Sequence, residues 1–368
     1  MKKKKIAITI IYILISLISS SNANAIEVST SAESAILMDA GSGRILYSYD
    51  AHKKLPMAST TKIMTALVAL DKGNLDDIVK IKKESVGVEG SSIYLYEGEE
   101  ISLRDLLYGL MLRSGNDSAV AIASYIGESE KDFISLMNNK AKKIGANDTN
   151  FVNPNGLENV NHYTTAYDLA LITREALKNE EFKKIVSTKL WTANREKNNY
   201  FANKNKTLWQ YNGGDGVKTG YTIRAGRCLV SSATRNQMQL IAIVLNDSNW
   251  FNDCYNLLNY GFDNYIPCLI LDEGQFIRNI KVVNGKKEFL PVINKNTFII
   301  PLREDEKDKI KVNLGLPEQV AAPISKGDDL GEISVHLNGE LIYNGKLIAK
   351  EDIVSINLIE KLLKGLKN

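Results

Sequence analysis

Ser59 and Lys62 stand three residues apart at the start of an apolar stretch, residues 60–70. Residues three apart on a helix share a face, so the Lys62 amine is expected to reach the Ser59 hydroxyl. A serine hydroxyl becomes a good nucleophile when a neighbouring base takes its proton, and burial lowers the pKa of a lysine enough for that role. The alternative is a serine helix cap followed by an exposed lysine. Two observations favour the nucleophile and its base: no other serine is followed by lysine at the third residue, and the stretch is too apolar for a solvated lysine.

Two further groups of polar residues have types and positions suited to binding a substrate. Ser114 and Asn116 lie in residues 113–118, a polar loop between two apolar helical stretches, where side chains can project into a cleft. Residues 218–220 read Lys-Thr-Gly at the start of a strand-like run. A Lys-Thr pair on a strand edge can hold a carboxylate, and glycine lets a substrate backbone approach. Taken singly, each group is also compatible with an ordinary turn or strand.

The three groups together are far more specific than any one of them. They follow the order SxxK, SxN and KTG, with 52 residues from Lys62 to Ser114 and 102 from Asn116 to Lys218. This motif set occurs in class A β-lactamases and penicillin-binding proteins. By these motifs the chain resembles the low-molecular-mass penicillin-binding proteins that are D-alanyl-D-alanine carboxypeptidases. Residues 151–157 and 162–170 are also similar to the family's segment between the second and third motifs.

The resemblance implies a catalytic role for three of these residues. Ser59 would be the acylated nucleophile, Lys62 the base that activates it, and Ser114 the relay that passes a proton to the leaving D-alanine. Water would then release the acyl-enzyme. The implied substrate is a peptidoglycan stem peptide that ends in D-Ala-D-Ala, with β-lactam antibiotics as covalent inhibitors. No cofactor and no metal is implied.

The resemblance also implies how the substrate is held. Asn116 would hydrogen-bond the substrate amide, while Lys218 and Thr219 would bind its terminal carboxylate and orient the relay serine. Gly220 lies beside this pair, where the substrate backbone is expected to pass. The backbone N–H of Tyr221, together with that of the nucleophile, would form the oxyanion hole.

Two departures from the family pattern bear on this site. The family commonly has Pro-His-Gly where residues 154–156 read Pro-Asn-Gly, a difference that a turn tolerates. Some members place an arginine after the second strand pair to help bind the carboxylate, whereas residues 249–253 contain none. Carboxylate recognition is then expected to rest on the Lys-Thr pair, with Arg224 or Arg227 as further candidates. Turnover is expected to be lower than is typical of the family.

The order of the strand-like and helical stretches that must position these residues predicts an α+β fold. Residues 35–49 contain two strand-like runs around a Gly-rich turn, and residues 228–234 and 238–245 form a second strand pair. Apolar periodicity predicts four helices between them, at 60–70, 103–112, 119–126 and 165–177. One antiparallel sheet, completed late by the chain and flanked by helices, is therefore expected. The resemblance implies the same arrangement, a serine β-lactamase/D,D-peptidase-like catalytic domain over residues 26–265.

The pattern changes after about residue 264 to short alternating strands. Asn-Gly pairs at 284–285 and 338–339 are the strongest local signs of hairpins, so a small all-β domain is expected over residues 266–350. Residues 355–368 then place five aliphatic side chains on one helical face, with lysines beside it. This pattern is typical of an amphipathic helix on anionic lipid, or of a helix docked on its own domain. The resemblance favours a membrane-association segment over residues 351–368.

The N terminus has the order of a secretory signal peptide. Four lysines at positions 2–5 precede a mainly apolar run at 6–18 and an Ala-x-Ala site at 23–25. An uncleaved anchor is the alternative, but about 13 apolar residues are short for a span that needs about 20. We expect cleavage after Ala25, so that residues 26–368 act on the outer face of the bacterial cytoplasmic membrane.

Composition excludes several other classes of protein. The 368 residues are 44% hydrophobic and 24% charged, which is typical of a globular chain long enough for two domains. Without the four N-terminal lysines the net charge falls from +3 to −1, so the chain lacks the basic excess expected of a nucleic-acid binder. The three cysteines and three histidines are widely dispersed, which supports neither a disulfide framework nor a zinc site.

Three alternatives to a carboxypeptidase stay open at this point. A serine β-lactamase shares the motifs, but it normally lacks a second β-domain, and Glu158 does not follow the Glu-x-x-x-Asn pattern of a class A deacylating loop. A non-catalytic cell-wall binding protein would be expected to have lost at least one motif residue. D,D-endopeptidase action on cross-links uses the same site, and the sequence does not separate it from carboxypeptidase action.

Overall fold

The computed structural model describes residues 28–357. The predicted signal peptide, residues 1–25, and most of the predicted C-terminal helix, residues 358–368, lie outside that range. The strands, in chain order, are β1 (Ser34–Asp39), β2 (Ile45–Tyr49), β3 (Ile78–Lys80), β4 (Glu100–Ser102), β5 (Leu190–Thr192), β6 (Tyr200–Ala202), β7 (Gly214–Thr222), β8 (Gly226–Arg235), β9 (Met238–Leu245), β10 (Ile266–Leu271), β11 (Phe276–Val283), β12 (Phe289–Asn294), β13 (Phe298–Leu302), β14 (Ile310–Gly315), β15 (Gln319–Ala321), β16 (Asp329–Leu337) and β17 (Glu340–Ala349). The helices are α1 (Lys62–Lys72), α2 (Leu103–Tyr108), α3 (Asn116–Ile126), α4 (Glu130–Lys143), α5 (Ala166–Ala176), α6 (Glu180–Ser187), α7 (Thr207–Gln210) and α8 (Trp250–Asn264).

Five strands form the central antiparallel sheet, in the order β2-β1-β9-β8-β7. Successive residues of a strand point to opposite faces, and both faces of β1 are covered. Ile36 and Met38 pack into the large core shared with the helices between β2 and β7. Ala35 and Leu37 pack on the other face, in the core that includes α8. The predicted α+β class is confirmed, with helices on both faces of one sheet that the chain completes late.

Helix α1 runs through the middle of the large core. Its residues 62–69 are all buried, as its mainly apolar sequence predicts. Burying a side chain such as Ile63 or Met64 contributes about 1.5–3 kcal/mol relative to leaving it exposed. The first residue of this buried helix is Lys62, so the fold takes the lysine of the SxxK motif into the core.

The segment between α2 and α3 differs from its sequence prediction. Residues 109–113 form a π-helical turn that ends at Ser114, whose backbone is left-handed with φ 63° and ψ 35°. Helix α3 begins at Asn116, three residues before the predicted start, so Asn116 is the first helical residue and not part of a loop. Its backbone N–H, which a helix start leaves without an intrahelical partner, donates to Ser91 O at 2.7 Å.

The C-terminal part is all-β and has its own apolar core. A six-stranded sheet has the order β14-β16-β17-β12-β11-β15, and β10 pairs with β13. The predicted turn at 338–339 joins β16 to β17, with both residues at positive φ, 54° and 87°. Helix α8 leads directly into β10. Arg44 also joins the two parts, because it donates to Pro301 O and to Glu306 Oε1, each at 2.5 Å.

The described chain ends within this β-domain. Ile353 pairs with Ile324, Ser355 bridges to Gly285, and Ile356 N donates to Asn284 O at 2.8 Å. The helix predicted from residue 355 therefore does not include Ser355 or Ile356, because their backbones bond to the β11–β12 turn. Across residues 28–357, no helix is both long and apolar enough to cross a bilayer.

Candidate active site

Ser59 lies in a 3₁₀ turn, Ala58–Thr61, that leads directly into α1. Ala58 has a left-handed backbone, φ 48°, a strained conformation of the kind that concentrates at functional sites. The Thr60 hydroxyl donates to Met57 O at 2.6 Å, and the Thr61 hydroxyl donates to Ala58 O at 2.8 Å. Both threonine side chains are therefore turned back onto the backbone, whereas Ser59 is half-buried and its hydroxyl faces the Lys62 amine.

The Lys62 amine is surrounded by three oxygen atoms. Its Nζ lies 2.9 Å from Ser59 Oγ, 2.6 Å from Asn116 Oδ1 and 2.5 Å from Asn155 O. A neutral lysine has two N–H donors and one lone pair. The two donors match the oxygens of Asn116 and Asn155, which only accept hydrogen bonds. The lone pair is then left for the Ser59 O–H, the one group of the three that can donate.

The surroundings of Lys62 favour this neutral form. Burial lowers the pKa of Lys62 well below its usual value, because the side chain is taken out of water. The nearby cations Lys218 and Lys204 lower this pKa further, and Asp117 acts in the opposite direction. The sequence predicted both the contact with Ser59 and the lowered pKa.

Asn116 is held so that its amide presents oxygen to Lys62. Its Nδ2 donates to Glu89 O at 2.5 Å, while Oδ1 accepts from the lysine. Ser114 precedes it by two residues and is 5% exposed. Left-handed backbone is costly for a serine, and here it lets the chain leave the π-helical turn and enter α3 within two residues.

Lys218, Thr219 and Gly220 lie on β7, an outer strand of the sheet, next to the Ser59 turn. Lys218 is only 2% exposed, and its Nζ donates to Thr219 O at 3.0 Å. Burial, with a contribution from Lys204, lowers the pKa of Lys218 to about 7. Lys218 is therefore about half protonated at pH 7 and mostly charged below it, and the charged state is the one that binds a carboxylate. The structure brings the three motifs together.

We expect Gly220→Val to slow acylation by benzylpenicillin about 10²-fold, the scale of effect seen when a reacting group moves by about 1 Å. A Cβ at this position would lie 3.0 Å from Ser59 N and 3.1 Å from Met57 O, which is tighter than most Cβ contacts, and valine adds two methyl groups beyond it. Strand β7 and the turn that carries Ser59 would have to move apart. The matched control is Gly315→Val on β14, where a Cβ meets its first neighbour at 3.6 Å. A Gly220→Val protein acylated at the wild-type rate would show that this close approach is unimportant.

Two groups that complete the site were not predicted as site residues. The backbone carbonyl of Asn155 contacts Lys62, so the family difference at this position changes a side chain and not the contacting group. His162 accepts from Val152 N at Nδ1, 3.1 Å, so its Nε2–H donates to Thr61 Oγ1, 2.7 Å. Burial is the main cause that lowers the pKa of His162 to about 4. This histidine is therefore neutral near pH 7 and supports the turn that carries Ser59.

Two charged residues beside the SxN motif were also missed. Asp117 is fully buried and accepts from Ser92 Oγ at 2.6 Å and from Ile93 N at 3.0 Å, which holds residues 92–93 against the start of α3. Lys204 Nζ lies 3.2 Å from Ser91 Oγ. An acidic residue directly after SxN was a visible signal for the first, whereas nothing local in the sequence marks the second.

A cavity of about 610 Å³ lies at the end of β7, with Tyr221, Arg227 and Trp250 in its lining. Arg227 is the β8 residue opposite Tyr221, and its guanidinium donates to Ser248 O at 3.1 Å. Arg224 instead donates from its backbone N–H to Glu158 Oε1 at 2.8 Å. Of the two arginines suggested by the sequence, Arg227 is the one in the lining of this cavity.

The remaining reactive residues do not form a second centre. In the part of the chain that the structure describes, no group of three His, Cys, Asp or Glu side chains is arranged to hold a metal ion. All three cysteines are free. Burial raises the pKa of Cys228 to about 12 and raises that of Cys254 well above its usual value, so both thiols stay protonated.

Comparison with known proteins agrees with this geometry. Residues 20–249 match the family described as D-alanyl-D-alanine carboxypeptidase, and residues 267–355 match the family described as penicillin-binding protein 5, C-terminal domain. The chain is 34% identical over 344 residues to the D-alanyl-D-alanine carboxypeptidase DacF of Bacillus subtilis, covering 90% of this chain and 88% of that protein. It is also 34% identical to DacC of Escherichia coli, covering 88% of this chain and 85% of that protein.

Solved structures show the same similarity. The crystal structure of penicillin binding protein 5 from Haemophilus influenzae superposes with a TM-score of 0.76 at 30% identity, covering 89% of this chain and 98% of that one. Penicillin binding protein 6B from Escherichia coli superposes with a TM-score of 0.68 at 29% identity, covering 87% of this chain and 96% of that one. Both the sheet-and-helix part and the β-domain are included in these matches.

Proposed function

Because the chain belongs to the D-alanyl-D-alanine carboxypeptidase family, we propose that it removes the terminal D-alanine from peptidoglycan stem pentapeptides through an acyl-enzyme on Ser59. The observation that carries this proposal is the surroundings of Lys62. Two acceptors occupy the two N–H groups of the neutral amine, and the lone pair is left for the Ser59 hydroxyl. This is the hydrogen bond that a nucleophile and its general base require.

In the proposed reaction, Lys62 takes the hydroxyl proton as Ser59 Oγ attacks the carbonyl carbon of the penultimate D-alanine. The backbone N–H groups of Ser59 and Tyr221 stabilise the oxyanion. Ser114 relays a proton to the departing amine, the C–N bond breaks, and D-alanine leaves. Water then attacks the ester, which regenerates the serine hydroxyl. Benzylpenicillin enters the same first step, with the β-lactam C–N bond as the bond that breaks.

Asn116 and the Lys-Thr pair hold the substrate in this proposal. Asn116 hydrogen-bonds the substrate amide, while Lys218 and Thr219 bind the terminal carboxylate. Arg227 is proposed to add a second cation for the carboxylate, because it lies opposite Tyr221 in a cavity at the end of β7. This supplies a cation in a chain that lacks arginine at residues 249–253.

We expect Arg227→Ala to raise KM for a D-Ala-D-Ala peptide about tenfold with little change in kcat. A hydrogen bond to a charged group contributes about 1.5–3 kcal/mol, and this one is made in both the ground state and the transition state. Steady-state kinetics with diacetyl-L-lysyl-D-alanyl-D-alanine checks the split, with Arg224→Ala as the matched control. An unchanged KM in Arg227→Ala would assign carboxylate binding to Lys218 and Thr219 alone.

The β-lactamase alternative is disfavoured by Glu158. This residue is exposed, and its carboxylate accepts the Arg224 N–H at the end of β7. It is therefore engaged in capping the β7–β8 turn and not in activating a water beside Ser59. A long-lived penicillin adduct is expected in consequence, and rapid hydrolysis of penicillin would favour a β-lactamase.

Location and domain boundaries are also proposals. The N-terminal pattern supports export after cleavage at Ala25, and the amphipathic pattern of residues 355–368 supports peripheral contact with the outer face of the cytoplasmic membrane. Residues 26–265 are proposed as the catalytic domain and residues 266–350 as the main part of the β-domain, to which residues 353–356 also belong through their pairing with Ile324 and with residues 284–285. The two family matches, which end at residue 249 and begin at residue 267, support this division.

The test of the proposed function is D-alanine release from diacetyl-L-lysyl-D-alanyl-D-alanine by purified protein comprising residues 26–368. The expected result is release that stops when benzylpenicillin is added first. The same protein should be offered a cross-linked muropeptide dimer. Cleavage of the dimer without release from the tripeptide would replace the carboxypeptidase by an endopeptidase, and inactivity on both would favour a non-catalytic binding protein.

A further inference from the structure

The β5–β6 hairpin, residues 190–202, is fastened to helix α2 near the active site. The Trp191 ring stacks on Tyr108 with centroids 3.7 Å apart, and its Nε1 donates to Asp105 Oδ1 at 2.7 Å. The other oxygen of Asp105 accepts from Asn194 N at 3.1 Å. The hairpin therefore has a fixed position beside α2.

From this hairpin, the side chain of Arg195 reaches across to the segment that precedes β4. It forms a two-point ion pair with Glu99, Nε to Oε1 at 2.6 Å and Nη2 to Oε2 at 3.0 Å. It also donates to Ile93 O at 2.8 Å and to Tyr94 O at 3.1 Å. Both side chains of the ion pair are only 4% exposed. One guanidinium thus binds a carboxylate and two backbone carbonyls of the same segment.

The first part of that segment, residues 89–94, is the part of the chain that orients Asn116. Glu89 O accepts from Asn116 Nδ2, and Ser91 O accepts from the Asn116 backbone N–H. We call residues 89–94 the wall segment. Tyr94 within it has a left-handed backbone, φ 62°, although its ring is 67% exposed. A bulky residue adopts this conformation only where contacts impose it, and the Arg195 bond to Tyr94 O is such a contact.

The geometry points to Arg195 as a positioning residue for the active site. Arg195 holds the wall segment, and the wall segment orients the Asn116 amide so that its oxygen faces Lys62. Asn116 therefore accepts one N–H of Lys62, and the lone pair of the amine is free to accept the Ser59 proton. Arg195 touches none of the reacting groups. The inference deepens the proposed acyl-transfer function and rests on it.

Charge burial is the reason to assign this role to Arg195. A buried ion pair is weak evidence for stability, because the cost of removing two charges from water offsets much of their attraction. The Arg195 pair instead constrains geometry. Its planar guanidinium fixes the positions of the carboxylate and of both carbonyls relative to one another, which the single ammonium group of a lysine cannot do. A shift of about 1 Å in a group beside the reacting atoms is enough to slow catalysis about 10²-fold.

The chain offers a matched control. Arg44 and Glu306 form a second partly buried ion pair, 2.5 Å long, with side chains 16% and 13% exposed, and Arg44 also donates to a backbone carbonyl. That pair joins the catalytic part to the β-domain, away from Ser59. Replacing both members of a pair by glutamine leaves no buried charge unpaired, so the variants to compare are R195Q/E99Q and R44Q/E306Q. Arg195→Lys, which keeps a cation without the planar fork, is the conservative variant.

The measurement is the second-order rate constant of acylation by benzylpenicillin, with the melting temperature of each protein beside it. We expect R195Q/E99Q to slow acylation about tenfold or more and Arg195→Lys to recover part of that loss, while R44Q/E306Q acylates at the wild-type rate even if it melts earlier. Equal acylation rates in R195Q/E99Q and wild type would overturn the inference, as would equal slowing in the control pair.

A double-mutant cycle with Asn116 shows whether Arg195 acts through this residue. If it does, adding R195Q/E99Q to Asn116→Ala slows acylation no further, because the positioned group is already gone. Fully multiplicative losses would overturn the assignment, even if both variants are slow. A wild-type protein that is not acylated would instead refute the proposed function, and this inference with it.

Discussion

The Ser59→Ala protein is expected to form no covalent adduct with benzylpenicillin and to release no D-alanine, a loss on the order of 10⁴-fold or more. The substitution removes one oxygen atom, the nucleophile of the proposed reaction. The fold should persist, because the hydroxyls of Thr60 and Thr61 that hold the turn to Met57 O and Ala58 O are untouched. Intact-protein mass spectrometry after incubation with the antibiotic, and a D-alanine assay, give the two readouts.

The control for this experiment is Ser48→Ala on β2, an exposed serine on the edge strand farthest from β7 in the sheet. It should be acylated at the wild-type rate. An adduct that persists in Ser59→Ala would contradict the assignment of the nucleophile. Peptide mapping would then identify the acylated residue, with Ser114 as the next hydroxyl to examine.

Lys62 shows what periodicity and composition could predict. An apolar stretch that starts with lysine predicts a buried amine, and burial predicts a lowered pKa; both are found at the start of α1. The KTG motif was likewise expected on a strand edge, and β7 is an outer strand of the sheet. The burial of α1 follows from local sequence, because the apolar neighbours of Lys62 lie within a few residues of it.

The start of α3 shows where local sequence was insufficient. Ser, Gly and Asn are turn formers, so a loop was expected through residue 118, but the helix begins at Asn116. The backbone at this helix start is held by the bond from Asn116 N to Ser91 O. It joins two segments that are distant along the chain, and no periodicity within either of them reports it.

The groups missed around Lys62 have a common cause. Asn155 contributes its backbone carbonyl, so the identity of its side chain is not a guide to the contact. Arg195 and Glu99 look like ordinary surface charges in a polar stretch, yet their side chains are buried against each other. Chemistry borne by side chains in a motif is visible in a sequence, whereas support from backbone atoms and from paired charges appears only once the chain is folded.

The second large effect is expected at the base. Lys62→Arg should slow acylation by benzylpenicillin about 10³-fold, within the 10²–10⁴-fold range typical of a general base. Arginine stays cationic because it is not deprotonated in proteins, so it has no lone pair to accept the Ser59 proton. The measurement is the second-order acylation rate constant at pH 8. Lys72→Arg, at the other end of α1 and outside the buried part of the helix, is the control.

The pH dependence of the wild-type rate follows from the same pKa shifts. As pH falls below the lowered pKa of Lys62, the amine is protonated and no longer has a lone pair to accept the Ser59 proton. Acylation therefore slows as the pH is lowered. As pH rises past about 7, the pKa of Lys218, this lysine loses its charge and binds the antibiotic carboxylate less well. The expected profile is a bell, with Lys62 setting the acid limb and Lys218 the alkaline limb.

The methyl ester of benzylpenicillin separates the two limbs without any change to the protein. It has no carboxylate, so its acylation should be slower overall and should lose the alkaline limb while keeping the acid one. If the acid limb is absent with both compounds, or if Lys62→Arg is acylated at the wild-type rate, then Lys62 is not the base. The contacts of its Nζ with Asn116 and Asn155 would then serve only to pair a buried amine. If only the alkaline limb persists with the ester, Lys218 acts on the reaction and not on the carboxylate.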